Sequence, residues 1–240
     1  MPADLADACR DLGLDLDADT VERLRRYRDL LAAAARRFNL TSLRDPAQIE
    51  RRHIVESLAL GRLLADRGLL AAGARVVDIG SGAGLPGLPL KIAWPGLRLS
   101  LLESNGKKCR FLREVVGELA LGEVEVLEGR AEDFGRDPAH RAAYDLAVAR
   151  AVAPLPALLE YALPFLRLEG RLAAVKGSAA QRELGASQAA LAALGGRVEA
   201  VLDFRPPGGL RQSVIVVLKE APTPERYPRR AGVPSKRPIV

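Results

Sequence analysis

Cysteine and histidine are scarce in this chain of 240 residues, which holds two of each. The two cysteines, Cys9 and Cys109, exclude a small secreted scaffold built on disulfides and a zinc module with four cysteine ligands. The two histidines, His53 and His140, supply little for a proton relay based on imidazole. We therefore expect no metal ion, and a chain of this length can bury a core that needs none.

Long apolar runs are missing as well. No segment approaches the roughly 20 apolar residues of a membrane span. The first residues are acidic and lack the positive start and apolar run of a secretory signal. We expect a cytoplasmic protein without a membrane partner. With 48% hydrophobic and 28% charged residues, the composition is that of a globular protein.

Basic residues outnumber acidic ones, and the formal net charge is +6. The excess lies in the flanks. Residues 1–20 hold six Asp and one Arg, residues 21–72 hold eleven basic and six acidic residues, and residues 221–240 hold five basic and one acidic. Residues 73–220 are nearly neutral. This distribution favours a neutral domain flanked by surfaces that bind nucleic acid. The alternative is an ordinary solvated surface in an arginine-rich chain.

Two periodicities divide the chain. Apolar residues recur at spacings of three and four between Val21 and Phe38, which predicts a helix with Thr20 or Asp19 as its N-cap. A second helix is predicted over 46–65. From residue 74, short apolar segments alternate with helical ones, and this predicts a parallel sheet covered by helices on both faces. The chain therefore divides into a helical cap (1–72), an α/β domain (73–220) and a basic tail (221–240) that packs on or extends the RNA surface.

Seven strands are predicted within the α/β domain. The link between the last two, residues 205–212, is too short for a crossover helix, so the final strand should run antiparallel to its neighbour. The predicted strands are 75–79, 97–102, 124–127, 144–149, 172–175, 198–204 and 213–218. The predicted helices between them are 88–92, 107–119, 131–134, 157–166 and 179–194.

A glycine-rich loop follows the first predicted strand, where Gly80, Gly82 and Gly84 alternate with other residues. Glycine allows positive φ and lets a ligand approach backbone amides at a helix start. Residues 82–87 satisfy the G-x-G-x-x-G pattern for a dinucleotide. The three alternating glycines equally suit the methionine and ribose portions of S-adenosylmethionine. A tight turn without a ligand is the structural alternative.

Carboxylates after the next two strands suit either cofactor. Glu103 ends the second strand, where a carboxylate can accept both ribose hydroxyls. The segment 129–134 follows the third strand and offers a backbone amide and a carboxylate to an adenine edge; the alternative is an ordinary helix start with acidic residues. The absence of a Tyr-x-x-x-Lys pair, the scarcity of histidine and the antiparallel last strand favour the methyl donor.

The atom that accepts the methyl group determines which residues a methyltransferase needs. Methylation at C5 of a pyrimidine needs a cysteine nucleophile, and neither cysteine follows the fourth or fifth strand. Methylation of an exocyclic amine usually uses Asn or Asp before prolines, which residues 149–154 lack. Guanine N7 carries a lone pair and no proton, so positioning and electrostatics suffice. Arg150, at the end of the fourth strand, is the candidate beside the reaction centre, and Lys176, after the fifth, is a candidate for RNA phosphate.

Several segments together resemble the bacterial 16S ribosomal RNA guanine-N7 methyltransferase family, also called glucose-inhibited division protein B. The flanking motifs are more specific than the glycine loop. The matching segments are residues 38–41, 52–58, 78–89, 130–132, 149–151, 175–177 and 227–236.

This resemblance implies an α/β fold of the class I S-adenosylmethionine-dependent methyltransferases, a Rossmann-like sheet of seven mostly parallel strands with an N-terminal helical cap. It implies methylation of a guanine in the 530 loop of 16S RNA, with S-adenosylhomocysteine as the product. We expect the RNA to be bound free or within a small ribosomal subunit or its precursor. We expect a monomer, because no clear hydrophobic patch argues for a larger assembly. Alternatives are another RNA position and a non-catalytic nucleotide-binding module associated with RNA.

The resemblance implies that six residues line the cofactor site: Gly80, Leu85, Glu103, Ala131, Glu132 and Arg150. The reasoning from the residues themselves adds the remaining assignments. Arg150 is assigned the catalytic role and a place in the cofactor site. The other cofactor residues assigned are Asp78, Gly80, Gly82, Gly84, Leu85, Glu103, Ser104, Asn105, Ala131 and Glu132. The residues assigned to RNA are Arg52, His53, Lys176, Arg229, Arg230 and Lys236. The segment 136–143 is longer than expected, so the loop over the adenine should differ.

Overall fold

The computed structural model describes residues 4–38, 40–207 and 209–239. Small parts of the predicted cap, motif 38–41, link 205–212 and tail therefore lie outside the described residues, namely Met1–Ala3, Asn39, Gly208 and Val240. Within the described ranges, seven strands form one sheet with the order β3-β2-β1-β4-β5-β7-β6. They are β1 (Arg75–Ile79), β2 (Arg98–Glu103), β3 (Val124–Glu128), β4 (Tyr144–Arg150), β5 (Leu166–Lys176), β6 (Gly196–Phe204) and β7 (Gln212–Lys219).

The strand order places a topological switch point between β1 and β4. Both strands are parallel and adjacent, with Val77 paired to Ala147, but the chain leaves them toward opposite sides of the sheet. Ligands bind in the crevice beyond the carboxyl ends of such a pair. Among the strands described, β7 alone runs antiparallel, inserted between β5 and β6. This confirms the prediction from the short link.

Helices cover both faces of the sheet. They are α1 (Leu5–Asp11), α2 (Ala18–Arg37), α3 (Pro46–Ile49), α4 (Glu56–Ala65), α5 (Gly87–Ala93), α6 (Gly106–Glu118), α7 (Ala131–Phe134), α8 (Leu155–Ala162), α9 (Ala180–Gly185), α10 (Gln188–Leu194) and α11 (Val233–Lys236). Successive strand residues point to opposite faces. Val76 accordingly packs with the cap helices, α5 and α6, whereas Val77 packs with α8 and α10. No helix in the described ranges is long and apolar enough to cross a membrane.

The helical run from Pro46 to Ala65 is continuous, as predicted, but its middle is π-helical over Glu50–Val55. Single π-helical turns inside α-helices occur frequently at functional sites. Here the turn carries Arg52 and His53, and the Ser57 hydroxyl donates to the His53 carbonyl over 2.6 Å. Apolar spacing predicts a helix but does not resolve such a turn.

Three helix predictions are corrected. The predicted helix 157–166 ends four residues early, at Ala162 in α8, and β5 begins at Leu166 rather than at residue 172. Helix α2 begins earlier than predicted, because the Asp17 carboxylate accepts from the Thr20 amide over 2.7 Å and is the N-cap. The predicted helix 179–194 is two helices, α9 and α10. The buried Ser187 between them donates its hydroxyl to the Glu183 carbonyl over 2.7 Å, and such local bonds compete with helix propagation.

Candidate functional site

The glycine loop between β1 and α5 has the backbone that the sequence predicts. Gly80, Gly82 and Gly84 have φ of +66°, +59° and +94°, a region that favours glycine. A Cβ on Gly84 would lie 2.3 Å from Leu88 Cδ1, so this glycine is needed for packing. From the cap, the buried Tyr27 hydroxyl donates to the Ala83 carbonyl over 2.8 Å. Helix α2 therefore fixes the loop from outside the sheet.

Asp78 lies beneath the loop. Its Oδ2 accepts from the Gly87 amide over 2.8 Å, while Oδ1 is the one buried side-chain polar atom without a partner among the described residues. Burial raises the pKa of Asp78 to about 7, and the Gly87 hydrogen bond opposes this rise. Asp78 is fully buried, so the structure places it as a support of the loop.

Glu103 joins the glycine loop to the end of β2. Its Oε2 accepts from the Gly82 amide over 3.0 Å and its Oε1 from the Asn105 amide over 2.8 Å. Each carboxylate oxygen keeps a lone pair for a further donor. The Asn105 side chain is engaged as the N-cap of α6, accepting from the Lys107 and Lys108 amides. Glu103 can therefore receive a diol, whereas Asn105 has a structural role.

A cavity of about 260 Å³ opens at the carboxyl ends of β1 and β2. It brings together five predicted cofactor residues, Gly80, Glu103, Ser104, Ala131 and Glu132. Leu102 and Tyr161 add apolar and aromatic walls. A carboxylate for a ribose diol, glycine backbone and apolar walls for an adenine together fit S-adenosylmethionine.

Two further lining residues, Gly232 and Ser235, come from the tail, which the sequence prediction assigned to the RNA surface. The Gly232 amide donates to Glu132 Oε1 over 2.8 Å. The sequence feature that marks this position is the glycine. In the structure, Gly232 has φ of +79° at the start of α11. Nothing local in the sequence connects it with Glu132, because the two residues are 100 positions apart.

A second, wider cavity of about 890 Å³ adjoins the first at Gly80. We call it the acceptor cleft. Gly82, Leu85 and Arg150 of the predicted cofactor set line it, rather than the first cavity. The charged and ionisable side chains around it are mostly basic, and they are Arg52, His53, Glu56, Lys108, Arg150 and Arg211.

Arg150 is at the centre of a polar cluster in this cleft. Its Nη1 lies 3.3 Å from Glu56 Oε2 and its Nη2 lies 3.5 Å from His53 Nδ1. Arg52 Nε is 3.6 Å from the other Glu56 oxygen. Burial lowers the pKa of Arg150 and raises that of Glu56. The sequence prediction assigned Arg52 and His53 to RNA and Arg150 to catalysis and the cofactor site, and the structure brings the three together. Glu56 was not among the predicted site residues; its signal was a carboxylate at the start of an apolar helix.

His53 is held as a neutral side chain. Burial and, second, the nearby Arg150 charge lower its pKa to about 4. Its Nε2 lies 2.8 Å from the Thr41 hydroxyl oxygen. Its Nδ1 lies 2.9 Å from the Arg52 carbonyl oxygen, so both ring nitrogens have partners in the protein. At neutral pH, His53 therefore brings no positive charge to the acceptor cleft.

The remaining predicted RNA residues fall into two groups. Lys176 is buried, with Nζ 2.9 Å from Glu183 Oε2, and it also donates to the Ala153 carbonyl. Arg229 is bound by both oxygens of the fully buried Glu160. These two cations hold the fold together. Arg230 and Lys236 are exposed.

Comparison with known proteins decides between the two ligands of the glycine loop. A family model described as rRNA small subunit methyltransferase G matches residues 20–213. The chain belongs to this family. The family's cofactor is S-adenosylmethionine, and the resemblance noted in the sequence is confirmed. The chain is an enzyme of this methyltransferase class, so the dinucleotide and non-catalytic alternatives are wrong.

Close relatives cover nearly the whole chain. The Ribosomal RNA small subunit methyltransferase G of Leuconostoc citreum is 41% identical over 233 residues, 97% of each chain. That of Roseiflexus castenholzii is 46% identical over 228 residues, 95% of each chain. Among solved structures, a mutant of MtNAS crystallised with S-adenosylmethionine has a TM-score of 0.56 at 19% identity, covering 90% of this chain and 77% of that one. This last likeness shows the fold alone, and it agrees with the predicted class.

Proposed function

We propose that this protein methylates N7 of a guanine in the 530 loop of 16S ribosomal RNA. The observation that carries the choice of atom is the acceptor cleft, whose described ionisable side chains provide no effective general base. His53 has a pKa of about 4, and the Glu56 carboxylate is flanked by two arginines. N7 of guanine has a lone pair and no proton to remove.

Cysteine chemistry finds no support in the cleft. Cys9 and Cys109 are both buried, and burial raises the pKa of each thiol. The Cys109 thiol donates to the Glu103 carbonyl over 3.2 Å. A nucleophilic cysteine needs an accessible thiolate, so covalent activation of a pyrimidine carbon does not suit this site.

The cofactor and the RNA would bind in different cavities, each held by its own residues. When bound, S-adenosylmethionine supplies an electrophilic methyl group on a sulfonium and leaves as S-adenosylhomocysteine. Glu103 would hold the ribose diol, and the glycine loop would hold the methionine end. Methylation at N7 leaves positive charge on the guanine. The Glu56 carboxylate offsets the Arg150 charge, so Arg150 can orient the base or a phosphate without opposing that charge.

The macromolecular substrate is proposed from the family. Its members named above are called ribosomal RNA small subunit methyltransferases, and a wide basic cleft suits RNA. We further propose that the acceptor RNA is presented within a small ribosomal subunit or its precursor. On the same basis we propose that the enzyme acts as a monomer in the cytoplasm, where this RNA is assembled.

The test is the position of the methyl group. Small subunits and free 16S RNA lacking the modification are incubated with the protein and labelled S-adenosylmethionine, and N7-methylguanine is mapped by chain cleavage and primer extension. We expect one product in the 530 loop and a rate at least 100-fold lower for Arg150→Ala. Arg98→Ala is the matched control, because Arg98 is exposed at the opposite end of β2. A label at another base or atom would contradict the proposal.

A further inference from the structure

The C-terminal segment 223–236 is attached to the rest of the fold along its whole length. Arg141 donates from Nη1 to the Tyr227 carbonyl over 2.9 Å and from Nη2 to the Thr223 carbonyl over 2.7 Å. Arg136 Nε donates to the Pro228 carbonyl over 2.9 Å. Both arginines belong to the loop 136–143, which is longer than we expected from the sequence. This loop therefore binds the C-terminal segment.

The strongest anchor is an ion pair with a buried carboxylate. Glu160 is fully buried in α8. It accepts from the backbone amide of Arg229 over 2.7 Å and from the Arg229 guanidinium over 2.6 to 3.0 Å. A buried charge needs a partner with such geometry. The pair fixes the segment immediately before it reaches the first cavity.

Beyond this anchor, the segment forms part of the cavity wall. Gly232 and Ser235 line the same 260 Å³ cavity as Glu103 and Tyr161. The Glu132 carboxylate, 5% exposed, accepts from the Gly232 amide and holds this part of the wall in place. The Ser235 hydroxyl donates to the Gly232 carbonyl over 3.1 Å, so its own lone pairs remain available as acceptors.

We propose that the C-terminal segment is part of the cofactor site, with Gly232 and Ser235 contacting the adenosyl half of S-adenosylmethionine. Glu132 and the Arg229–Glu160 pair then act as positioning residues, because they hold the wall rather than the ligand. The inference rests on the family's cofactor and on the cavity. It does not depend on which base of the RNA is methylated.

The test uses S-adenosylhomocysteine, which binds without reacting. Its dissociation constant is measured by calorimetry with the full chain and no RNA. Ser235→Ala should weaken binding about 3- to 10-fold, the range for one hydrogen bond. Gly232→Ala should weaken it at least 10-fold, because a side chain at φ of +79° strains the wall.

A matched control separates this effect from general strain. Gly68 also has positive φ, +69°, and a Cβ on either Gly68 or Gly232 meets no atom of the described residues within 4 Å. Gly68→Ala should therefore lose comparable stability and keep the wild-type affinity. Thermal unfolding of every variant reports whether it is folded, and Ser235→Ala changes an exposed residue. Wild-type affinity in both Ser235→Ala and Gly232→Ala would overturn the inference, while leaving the proposed methylation site untouched.

Discussion

Three buried carboxylates hold the parts of this site in place. Glu103 ties the glycine loop to β2, Glu56 faces two arginines, and Asp78 holds the start of α5 through Gly87. Burial raises the pKa of Asp78 and of Glu56. The ionised forms of Asp78 and Glu56 therefore carry a desolvation cost, which the neighbouring donors offset only in part.

The raised pKa of Asp78 gives a prediction for stability against pH. The pKa of Asp78 in the folded protein, about 7, lies above its ordinary value of 3.8. The contribution of Asp78 to the free energy of unfolding is therefore complete below pH 3.8 and is lost as pH rises through about 7. Asp78→Asn lacks this titration. Without cofactor, the free energy of unfolding of wild type minus that of Asp78→Asn should fall between pH 5 and 7 by up to about 1.4 kcal/mol per unit. Urea unfolding at several pH values measures the difference, which would stay constant if Asp78 were ionised throughout.

At the scale of elements, periodicity predicted most of the fold. The strands β1 and β4 and the helix α7 begin where predicted, because alternating or helical apolar patterns express which face is buried. The π-helical turn at Glu50–Val55 and the break at Ser187 were not predictable in this way. Both depend on particular hydrogen bonds, which the apolar pattern does not encode.

The attachment of the C-terminal segment can be tested at the same scale. Glu160→Gln removes the charge that binds Arg229 and leaves the side-chain volume nearly unchanged. We expect the Gly232 amide and its neighbours in 229–236 to exchange hydrogen at least 10-fold faster, measured by mass spectrometry, because the segment detaches locally. Arg230→Ala, which changes an exposed side chain of the same segment, should leave exchange unchanged. If Glu160→Gln exchanged hydrogen at the wild-type rate, the loop 136–143 with Arg136 and Arg141 would be enough to hold the segment.

For the whole molecule, the net charge of +6 is a poor guide to RNA contacts. Lys176 and Arg229 are bound to Glu183 and Glu160, so they are not available to phosphates. Four exposed cations of the tail remain for that role: Arg226, Arg230, Lys236 and Arg237. The cap likewise shares one hydrophobic core with the sheet, and through Tyr27 it supports the glycine loop.

The exposed tail cations predict the salt dependence of RNA binding. Changing Arg230, Lys236 and Arg237 to Glu should weaken binding and lower the slope of log affinity against log salt by about 0.7 to 0.9 for each lost phosphate contact. Affinity for S-adenosylhomocysteine without RNA should stay unchanged. Filter binding at several salt concentrations measures the slope. Arg98→Glu and Arg113→Glu serve as controls, because both arginines are exposed and lie outside the tail.

The sequence by itself determined the class of fold, the glycine loop, the carboxylate after β2 and the family, because these depend on residues close together in the chain. Only the tertiary structure decided which charged residues are free and which are bound. Arg229 meets Glu160 across 69 positions, and Gly232 meets Glu132 across 100. Burial and pairing of a charge depend on such distant partners, so the tail that composition assigned to RNA also lines the first cavity, where we propose that the cofactor binds.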